Sequence, residues 1–242
     1  MVSEVDFRIE RELREFFAKS TPDIGFLGEE RGRSGDVDLY WALDPVDGTA
    51  NFIRDIPLCA VSLSLVRVDR AVLGVIDLPF LGSRYTAERG GGAYRAGRRL
   101  RANGTETLHE AVVGVGDYAV GDDAEEKNRL RLGVTQRLAE RAQRVRMLGA
   151  VALDLVWVAE GKLDASITLS NKPWDTAAGA LIAEEAGAIV VGRDGAAHTV
   201  ESNATIAVAA PLLEEVLALV RAAELDASVT APTAAACPDD LR

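Results

Sequence analysis

The chain has 242 residues, 48% of them hydrophobic, so it is long and apolar enough to bury a globular core. Acids outnumber bases 38 to 27, and the net charge of −11 argues against nucleic-acid and membrane partners, which select basic surfaces. Two cysteines are too few to form a disulfide scaffold. The sequence has no run of 18 apolar residues, so no membrane span is predicted. The first fifteen residues are charged throughout, which excludes a signal peptide. We therefore expect a soluble cytoplasmic protein.

The first half of the chain predicts one helix followed by strands. The helix is amphipathic, and its apolar residues recur at helical spacing: Val5, Ile9, Leu13 and Phe16. Strands are predicted at 37–43, 60–68, 71–77 and 84–95. In the second of these, three apolar residues (Val61, Leu63, Leu65) alternate with two serines (Ser62, Ser64). The last strand is broken by Gly90-Gly91-Gly92 and predicts a hairpin rather than a nucleotide loop, because no helix follows the glycines.

The second half predicts three further helices before a last one that begins at Pro211. They are a helix that contains Leu130 to Ala142, a nearly all-apolar helix at 149–160, and a helix at 175–186. Strands are predicted at 164–170, 188–191 and 205–210. We expect an α/β (α+β) fold in one domain, 1–225, whose two lobes, 1–110 and 111–225, meet at a cleft, and a flexible Ala-rich tail at 226–242.

Three stretches hold acidic residues beside apolar segments: Gly28-Glu29-Glu30, Asp44-Pro45-Val46-Asp47-Gly48-Thr49 and Trp174-Asp175. Each has an ordinary structural explanation when taken alone. Glu29 and Glu30 are typical of a charged surface, DPVDGT is typical of a turn, and Asp175 is typical of a helix N-cap. The second stretch also combines a stiff Pro45 with Gly48, at which a backbone can approach a ligand closely.

Taken together, these stretches favour a metal site. If Glu29, Asp44, Asp47 and Asp175 converge, their charge of about −4 is stable only with cations, because like charges raise one another's pKa. Carboxylates and water are the ligands that Mg²⁺ prefers, and a pair of Mg²⁺ ions suits phosphoryl transfer. A zinc site is excluded because the two histidines, His109 and His198, are too few and are expected at the surface. The motifs GxSxG and GxxxxGK[ST] are both absent from the sequence.

Three sequence blocks resemble the signature blocks of the inositol monophosphatase family of Mg²⁺-dependent, lithium-sensitive phosphatases. They are GEE at 28–30, WALDPVDGTANF at 41–52 and WDTAAGALIAEEAG at 174–187, and the resemblance extends from Val2 to about residue 222. It implies a layered α/β/α/β/α sandwich of the inositol monophosphatase/fructose-1,6-bisphosphatase type, usually a homodimer. It also implies that two or three Mg²⁺ ions assist an in-line attack of water on a small phosphorylated metabolite.

The resemblance assigns roles residue by residue. The implied metal ligands are Glu29, Asp44, Val46 (through its carbonyl), Asp47 and Asp175. Glu30 is the neighbour of the metal-binding glutamate, and Thr49 with Glu29 would orient and deprotonate the attacking water. The implied phosphate and substrate side consists of Asp47, Gly48, Thr49, Gly149, Ala150, Thr168 and Asp175.

Three departures from the family pattern bear on substrate and stability. The family normally has another helix before the residues that resemble Val2 to Asp6. This sequence starts at that point, so we expect either that the first N-terminal helix is lacking or that the start of the sequence is misassigned. Thr168 stands where inositol-specific members carry a glutamate, and Ala150 stands where a Ser or Thr is common. An inositol monophosphate-like substrate is therefore one expectation. Histidinol phosphate, fructose 1,6-bisphosphate, 3′-phosphoadenosine 5′-phosphate and a catalytically weak regulatory paralogue remain open alternatives.

Overall fold

Two β-sheets and six α-helices make up the regular structure of residues 3–229, the part of the chain that the computed structural model describes. The strands of the larger sheet are β1 (Gly25–Gly28), β2 (Gly32–Ser34), β3 (Leu39–Asp47), β4 (Ala60–Arg67), β5 (Arg70–Leu78), β6 (Ser83–Glu88), β7 (Gly92–Arg95) and β8 (Arg98–Arg99). Their spatial order is β2-β1-β3-β4-β5-β6-β7-β8. Only β1 and β3 pair in parallel, so the sheet is otherwise antiparallel.

The smaller sheet belongs to the second half of the chain. Its strands are β9 (Val112–Val115), β10 (Arg144–Arg146), β11 (Ala165–Thr168), β12 (Ile189–Val191) and β13 (Thr205–Val208), in the spatial order β10-β9-β11-β13-β12. β9 lies parallel to both of its neighbours, and the remaining pairs are antiparallel. The helices are α1 (Glu4–Ser20), α2 (Thr49–Phe52), α3 (Ala124–Arg141), α4 (Val151–Ala159), α5 (Pro173–Glu185) and α6 (Leu213–Val229).

Helices and sheets alternate in five layers. α1 packs on the outer face of the larger sheet, where Phe17 stacks on Trp41. α4 and α5 fill the space between the sheets and share apolar clusters with both of them. α3 and α6 cover the far face of the smaller sheet. This arrangement confirms the predicted α/β/α/β/α sandwich.

Small residues allow α5 to lie close to the larger sheet. A Cβ at Gly74 of β5 would meet the backbone oxygen of Ala178 at 3.0 Å. In β4 the serines face this buried side, whereas Val61, Leu63 and Leu65 are only partly buried on the other side of the sheet. The predicted alternation is confirmed, and the polar residues of that strand are the buried ones. Beyond α1, the outer face holds an apolar cavity of about 430 Å³ lined by side chains that include Leu63, Leu73, Val75 and Tyr94.

The first helix forms as predicted, but its apolar stripe is only partly buried. Val5 is 38% exposed and Phe16 is 59% exposed, whereas Ile9 and Leu13 are partly buried. The fully buried residues of the helix are Asp6 and Glu10, and Glu10 accepts backbone N–H groups of the loop after β1.

Most other predicted elements are found, with shifted ends. β3 begins at Leu39 and runs through Asp47, so most of the predicted DPVDGT turn is strand. Pro211 lies in a 3-10 turn just before α6, and α6 continues to Val229, four residues past the predicted domain end. The rest of the predicted tail, 230–242, lies outside the described residues. None of the helices in residues 3–229 is long and apolar enough to cross a membrane.

Candidate active site

Three carboxylates from distant parts of the chain meet at the end of β3. Glu29 follows β1, Asp44 lies in β3 and Asp175 lies in the first turn of α5. One oxygen from each lies within 4.8 Å of the others, so the three can hold a metal ion together. The structure therefore brings together three of the four acids that the sequence singled out.

An irregularity in β3 places its second aspartate. Residues three apart in a regular strand point to opposite faces. The pairing of β3 with β4 shifts between Asp44, opposite Ser62, and Asp47, opposite Ala60, so Pro45 and Val46 bulge out of the ladder. Val46 donates its N–H to the Asp44 carboxylate at 2.9 Å. The bulge leaves both aspartates buried beside the site.

Asp47 differs from the other acids because it caps a helix. Its two oxygens accept the N–H groups of Val151, at 3.2 Å, and Ala152, at 2.6 Å, in the first turn of α4. An anion at a helix N-terminus satisfies donors that have no partner within the helix. Asp47 thus joins the end of β3 to the Gly149–Ala150 segment that the resemblance assigned to the substrate side.

The turn after Asp47 is held by three side-chain contacts. Gly48 has φ +85°, and a Cβ there would lie 3.0 Å from the Leu58 oxygen. Thr49 donates its hydroxyl to the Val46 carbonyl at 3.0 Å. Asn51 donates to the carbonyls of Leu58, at 2.8 Å, and Leu148, at 2.7 Å, and so ties α2 to the entry of α4. The N–H groups of Asn51 and Phe52 donate to the Gly48 carbonyl, so this turn has the geometry of a helix start, where the first N–H groups lack a partner within the helix.

Glu10 of α1 holds the loop that carries Glu29. Its carboxylate accepts the backbone N–H of Glu30 at 2.8 Å and of Arg31 at 3.2 Å, and it pairs with Arg14 at 2.7 Å. Glu30 itself is partly buried, and its pKa is raised by burial first and then by Glu29, Asp6 and Glu10. Glu30 therefore lies beside the metal-binding candidates.

Asn171 fixes the approach to α5. Its amide donates to the carbonyls of Thr199, Val200 and Ser202, and its oxygen accepts the hydroxyl of Thr176. In the larger sheet, Ser62 donates to the Trp174 carbonyl at 3.1 Å. These contacts connect the start of α5, and with it Asp175, to both sheets.

Burial and mutual repulsion disfavour the ionised form of the acids. Burial, followed by the charges of Asp47, Glu29 and Asp175, raises the pKa of Asp44 well above its ordinary value. Burial raises the pKa of Asp47 to about 7, against its backbone hydrogen bonds, and burial with Asp47 and Glu29 raises that of Asp175 to about 8. A divalent cation such as Mg²⁺ would offset this repulsion between carboxylates, and an all-oxygen donor set suits it.

A cavity of about 200 Å³ lies next to this cluster. Its wall contains Asp47 and four other residues of the predicted site or its helix: Gly149, Ala150, Val151 and Thr168. Thr168 ends β11, is 4% exposed and lines this cavity, so the second of the expected departures from the family pattern lies in the cavity wall. The predicted substrate residues are thus grouped beside the carboxylates.

Sequence reasoning missed several residues that build the site. Asn51 lies inside the WALDPVDGTANF block, so the sequence could have indicated its role. No sequence pattern indicated a role for Glu10 or Asn171. Lys172 also went unnoticed, and its charge acts on Asp175 and opposes the rise in its pKa. The expectation that both histidines lie at the surface was wrong for His198, which is 5% exposed and lies 2.9 Å from the Thr205 hydroxyl.

Comparisons with known proteins agree with this geometry. A model of the inositol monophosphatase family matches residues 1–225. Inositol-1-monophosphatase ImpA of Mycolicibacterium smegmatis is 36% identical over 220 residues, which cover 90% of this chain and 79% of that protein. A fructose-1,6-bisphosphatase/inositol-1-monophosphatase of Thermotoga maritima is 34% identical over 195 residues, which cover 81% and 72%.

A solved structure agrees as well. A Thermotoga maritima IMPase matches with a TM-score of 0.85 and 31% identity, covering 93% of this chain and 85% of that chain. The fold and these matches define a phosphatase, a hydrolase of phosphoric monoesters. The family to which the chain belongs is the inositol monophosphatase family.

Proposed function

We propose that this chain hydrolyses a small phosphate monoester with Mg²⁺ held at Glu29, Asp44 and Asp175. The observation that supports this most directly is the meeting of the three carboxylates within 4.8 Å, beside a turn with the geometry of a helix start and a cavity for the alcohol. Asp47 and the Val46 carbonyl complete the proposed ligand set, and two or three ions are expected. Bound Mg²⁺ would neutralise the acids, polarise the phosphate and lower the pKa of water.

The chain's own residues orient the reactants. The N–H groups of the Gly48–Thr49 turn bind phosphate oxygens. Because the Thr49 hydroxyl donates to Val46, its lone pairs accept a hydrogen bond from the attacking water. Glu29 takes the proton of that water as its oxygen forms the new bond to phosphorus and the bond to the ester oxygen breaks. The departing alkoxide takes a proton from solvent, so the products are inorganic phosphate and an alcohol.

The substrate is proposed at the level of its class. The Mycolicibacterium relative is named an inositol-1-monophosphatase, and the Thermotoga relative is named for both fructose 1,6-bisphosphate and inositol 1-phosphate. A small phosphorylated metabolite fits the cavity in either case. Lithium sensitivity, a homodimer and a cytoplasmic location stay predictions from the family resemblance.

A panel of phosphate monoesters tests the proposal. Phosphate release is measured with Mg²⁺, with EDTA and with added Li⁺ for inositol 1-phosphate, fructose 1,6-bisphosphate, histidinol phosphate and 3′-phosphoadenosine 5′-phosphate. We expect release that requires Mg²⁺ and falls with Li⁺, and the ranking of kcat/KM then identifies the preferred alcohol. A folded protein that binds Mg²⁺ but releases no phosphate from any of them would contradict the proposal and favour a regulatory role.

A further inference from the structure

One cationic side chain lines the substrate cavity and takes no part in the proposed mechanism. Arg131 of α3 forms a wall of the 200 Å³ cavity whose other walls include Asp47 and the start of α4. Its Nη1 atom is buried and has no hydrogen-bond partner among residues 3–229. A buried donor without an acceptor costs free energy, so an arginine at this place calls for an explanation.

Within residues 3–229, Arg131 forms no salt bridge. On the same helix, Arg129 pairs with Glu125 and Arg137 pairs with Asp226. Arg131 forms no such pair within the described part of the chain, although the acids Asp117 and Asp154 line the same cavity. Its positive charge is therefore matched by no ion pair in this part of the chain, and its side chain lines the cavity.

The residue at position 168 does not neutralise that charge. Thr168 lines the cavity with Arg131, and its hydroxyl is buried without a partner. A glutamate at this position would share the cavity with the guanidinium and neutralise it. A neutral threonine adds no further negative charge to a wall that already holds Asp47, Asp117 and Asp154.

We propose that Arg131 binds a second anionic group, a carboxylate or a phosphate, on the alcohol part of the substrate. The inference rests on the proposed function and specifies its substrate class. A guanidinium binds both groups through two parallel hydrogen bonds, which makes arginine the usual residue for such recognition. Since one small cavity connects Asp47 to Arg131, the second anion lies within a few carbon atoms of the ester oxygen.

Two substrates that differ in one group test this inference. 2-Phosphoglycerate carries a carboxylate where glycerol 2-phosphate carries a hydroxymethyl group. We expect the wild type to prefer the carboxylate ester, and R131Q to lower its kcat/KM about 10- to 100-fold, the usual loss of a charged hydrogen bond. R131Q should change kcat/KM for glycerol 2-phosphate less than about threefold. Fructose 1,6-bisphosphate against fructose 1-phosphate repeats the comparison for a second phosphate.

Two variants serve as control and as a second test. R129Q lies on the same helix outside the cavity and should leave both substrates unchanged. T168E should lower kcat/KM for 2-phosphoglycerate selectively, because the introduced carboxylate competes for Arg131. If R131Q does not fold, T168E alone tests whether Arg131 binds the second anion. The shift in unfolding midpoint caused by D-glycerate, compared with glycerol, in the presence of Mg²⁺ and phosphate, gives a readout independent of turnover.

Three outcomes would overturn the inference. They are a wild type with no preference for the anionic member of either pair, an R131Q variant that loses both members equally, and a variant that loses neither. If the wild type hydrolyses glycerol 2-phosphate in these cases, the proposed function stands and only the role of Arg131 fails. If no ester at all is hydrolysed, the proposed function fails and the inference fails with it.

Discussion

Single side chains connect segments that are far apart in the chain. Asp47 accepts the first N–H groups of α4, about a hundred residues later, and Asn51 donates to Leu148 just before the same helix. Glu10 accepts the N–H of Glu30. The carboxylate cluster therefore depends on these residues, because they hold the backbone segments that carry the candidate metal ligands. They can do this without contacting a metal or a phosphate themselves.

His198 makes the protein sensitive to acid at a site away from the carboxylates. Burial, followed by the charge of Arg70, lowers the pKa of His198 to about 4, against 6.5 in an unfolded chain. Between these values the unfolded state binds a proton that the folded state does not. The contribution of His198 to the free energy of unfolding should therefore fall by about 3 kcal/mol as the pH falls from 6.5 to 4, and the difference between wild type and H198N isolates it from the opposite contribution of the carboxylates.

The measurement is urea unfolding across this pH range for the wild type and H198N. H198N should flatten the acid limb of the stability curve, whereas H109N, at the exposed histidine, should not. An equal pH slope in wild type and H198N would show that His198 takes up no proton on unfolding.

At the scale of elements, α1 serves the site through its buried polar face. Removing the Glu10 carboxylate in E10A leaves two N–H groups and Arg14 without their acceptor. We expect the free energy of unfolding to fall by about 2–4 kcal/mol and the Mg²⁺ concentration for half-maximal activity to rise severalfold. Because Glu29 stays in place, kcat at saturating Mg²⁺ should be largely retained.

E12A is the matched control, since Glu12 is exposed and pairs only with Arg8 on the same helix. Its stability should stay within about 0.5 kcal/mol of wild type. A loss of stability in E10A with no change in the Mg²⁺ requirement would assign Glu10 to the fold alone.

Apolar spacing predicted α1 and the alternation of β4, but not which polar residues would be buried in them. Hydrogen bonds to the Glu29 loop bury Glu10, and close packing of α5 buries both serines of β4. Short strands such as β2 and β10 gave no prediction, since three residues carry no period. DPVDGT was predicted as a turn because Pro and Gly favour turns locally, but Asp44 and Asp47 pair with β4 on either side of a bulge, so the strand continues to Asp47.

The site was predicted as far as its acids have a recognisable pattern. Glu29, Asp44 and Asp175 were grouped by charge arithmetic and by the three blocks, and they do meet. Arg131, Glu10 and Asn171 reach the site through tertiary packing alone, so no local pattern marks them.

For the whole molecule, the carboxylate cluster sets how stability responds to pH and metal. Burial raises the pKa of Asp47 to about 7 and that of Asp175 to about 8 in the metal-free protein. A carboxyl with a raised pKa favours folding at low pH, and this contribution is lost as the pH rises toward 8. The metal-free protein should thus become less stable between pH 5 and pH 8.

Mg²⁺ should oppose this loss, because it binds the ionised acids of the folded state. The expected result is a Mg²⁺-induced rise in the unfolding midpoint that is larger at pH 8 than at pH 5, and smaller in D175N. Thermal unfolding in EDTA and in Mg²⁺ at both pH values measures it. A Mg²⁺ effect of equal size at both pH values would argue against binding at the cluster.

The central claim is that Glu29, Asp44 and Asp175 hold the Mg²⁺ used in phosphate ester hydrolysis. The most direct test is phosphate release as a function of Mg²⁺ concentration by wild type, D44N and D175N, with D122N at an exposed position as the control. We predict a fall of about a thousandfold in kcat/KM for both site variants, a higher Mg²⁺ requirement, and wild-type rates for D122N. Rates near wild type in either D44N or D175N would contradict the account.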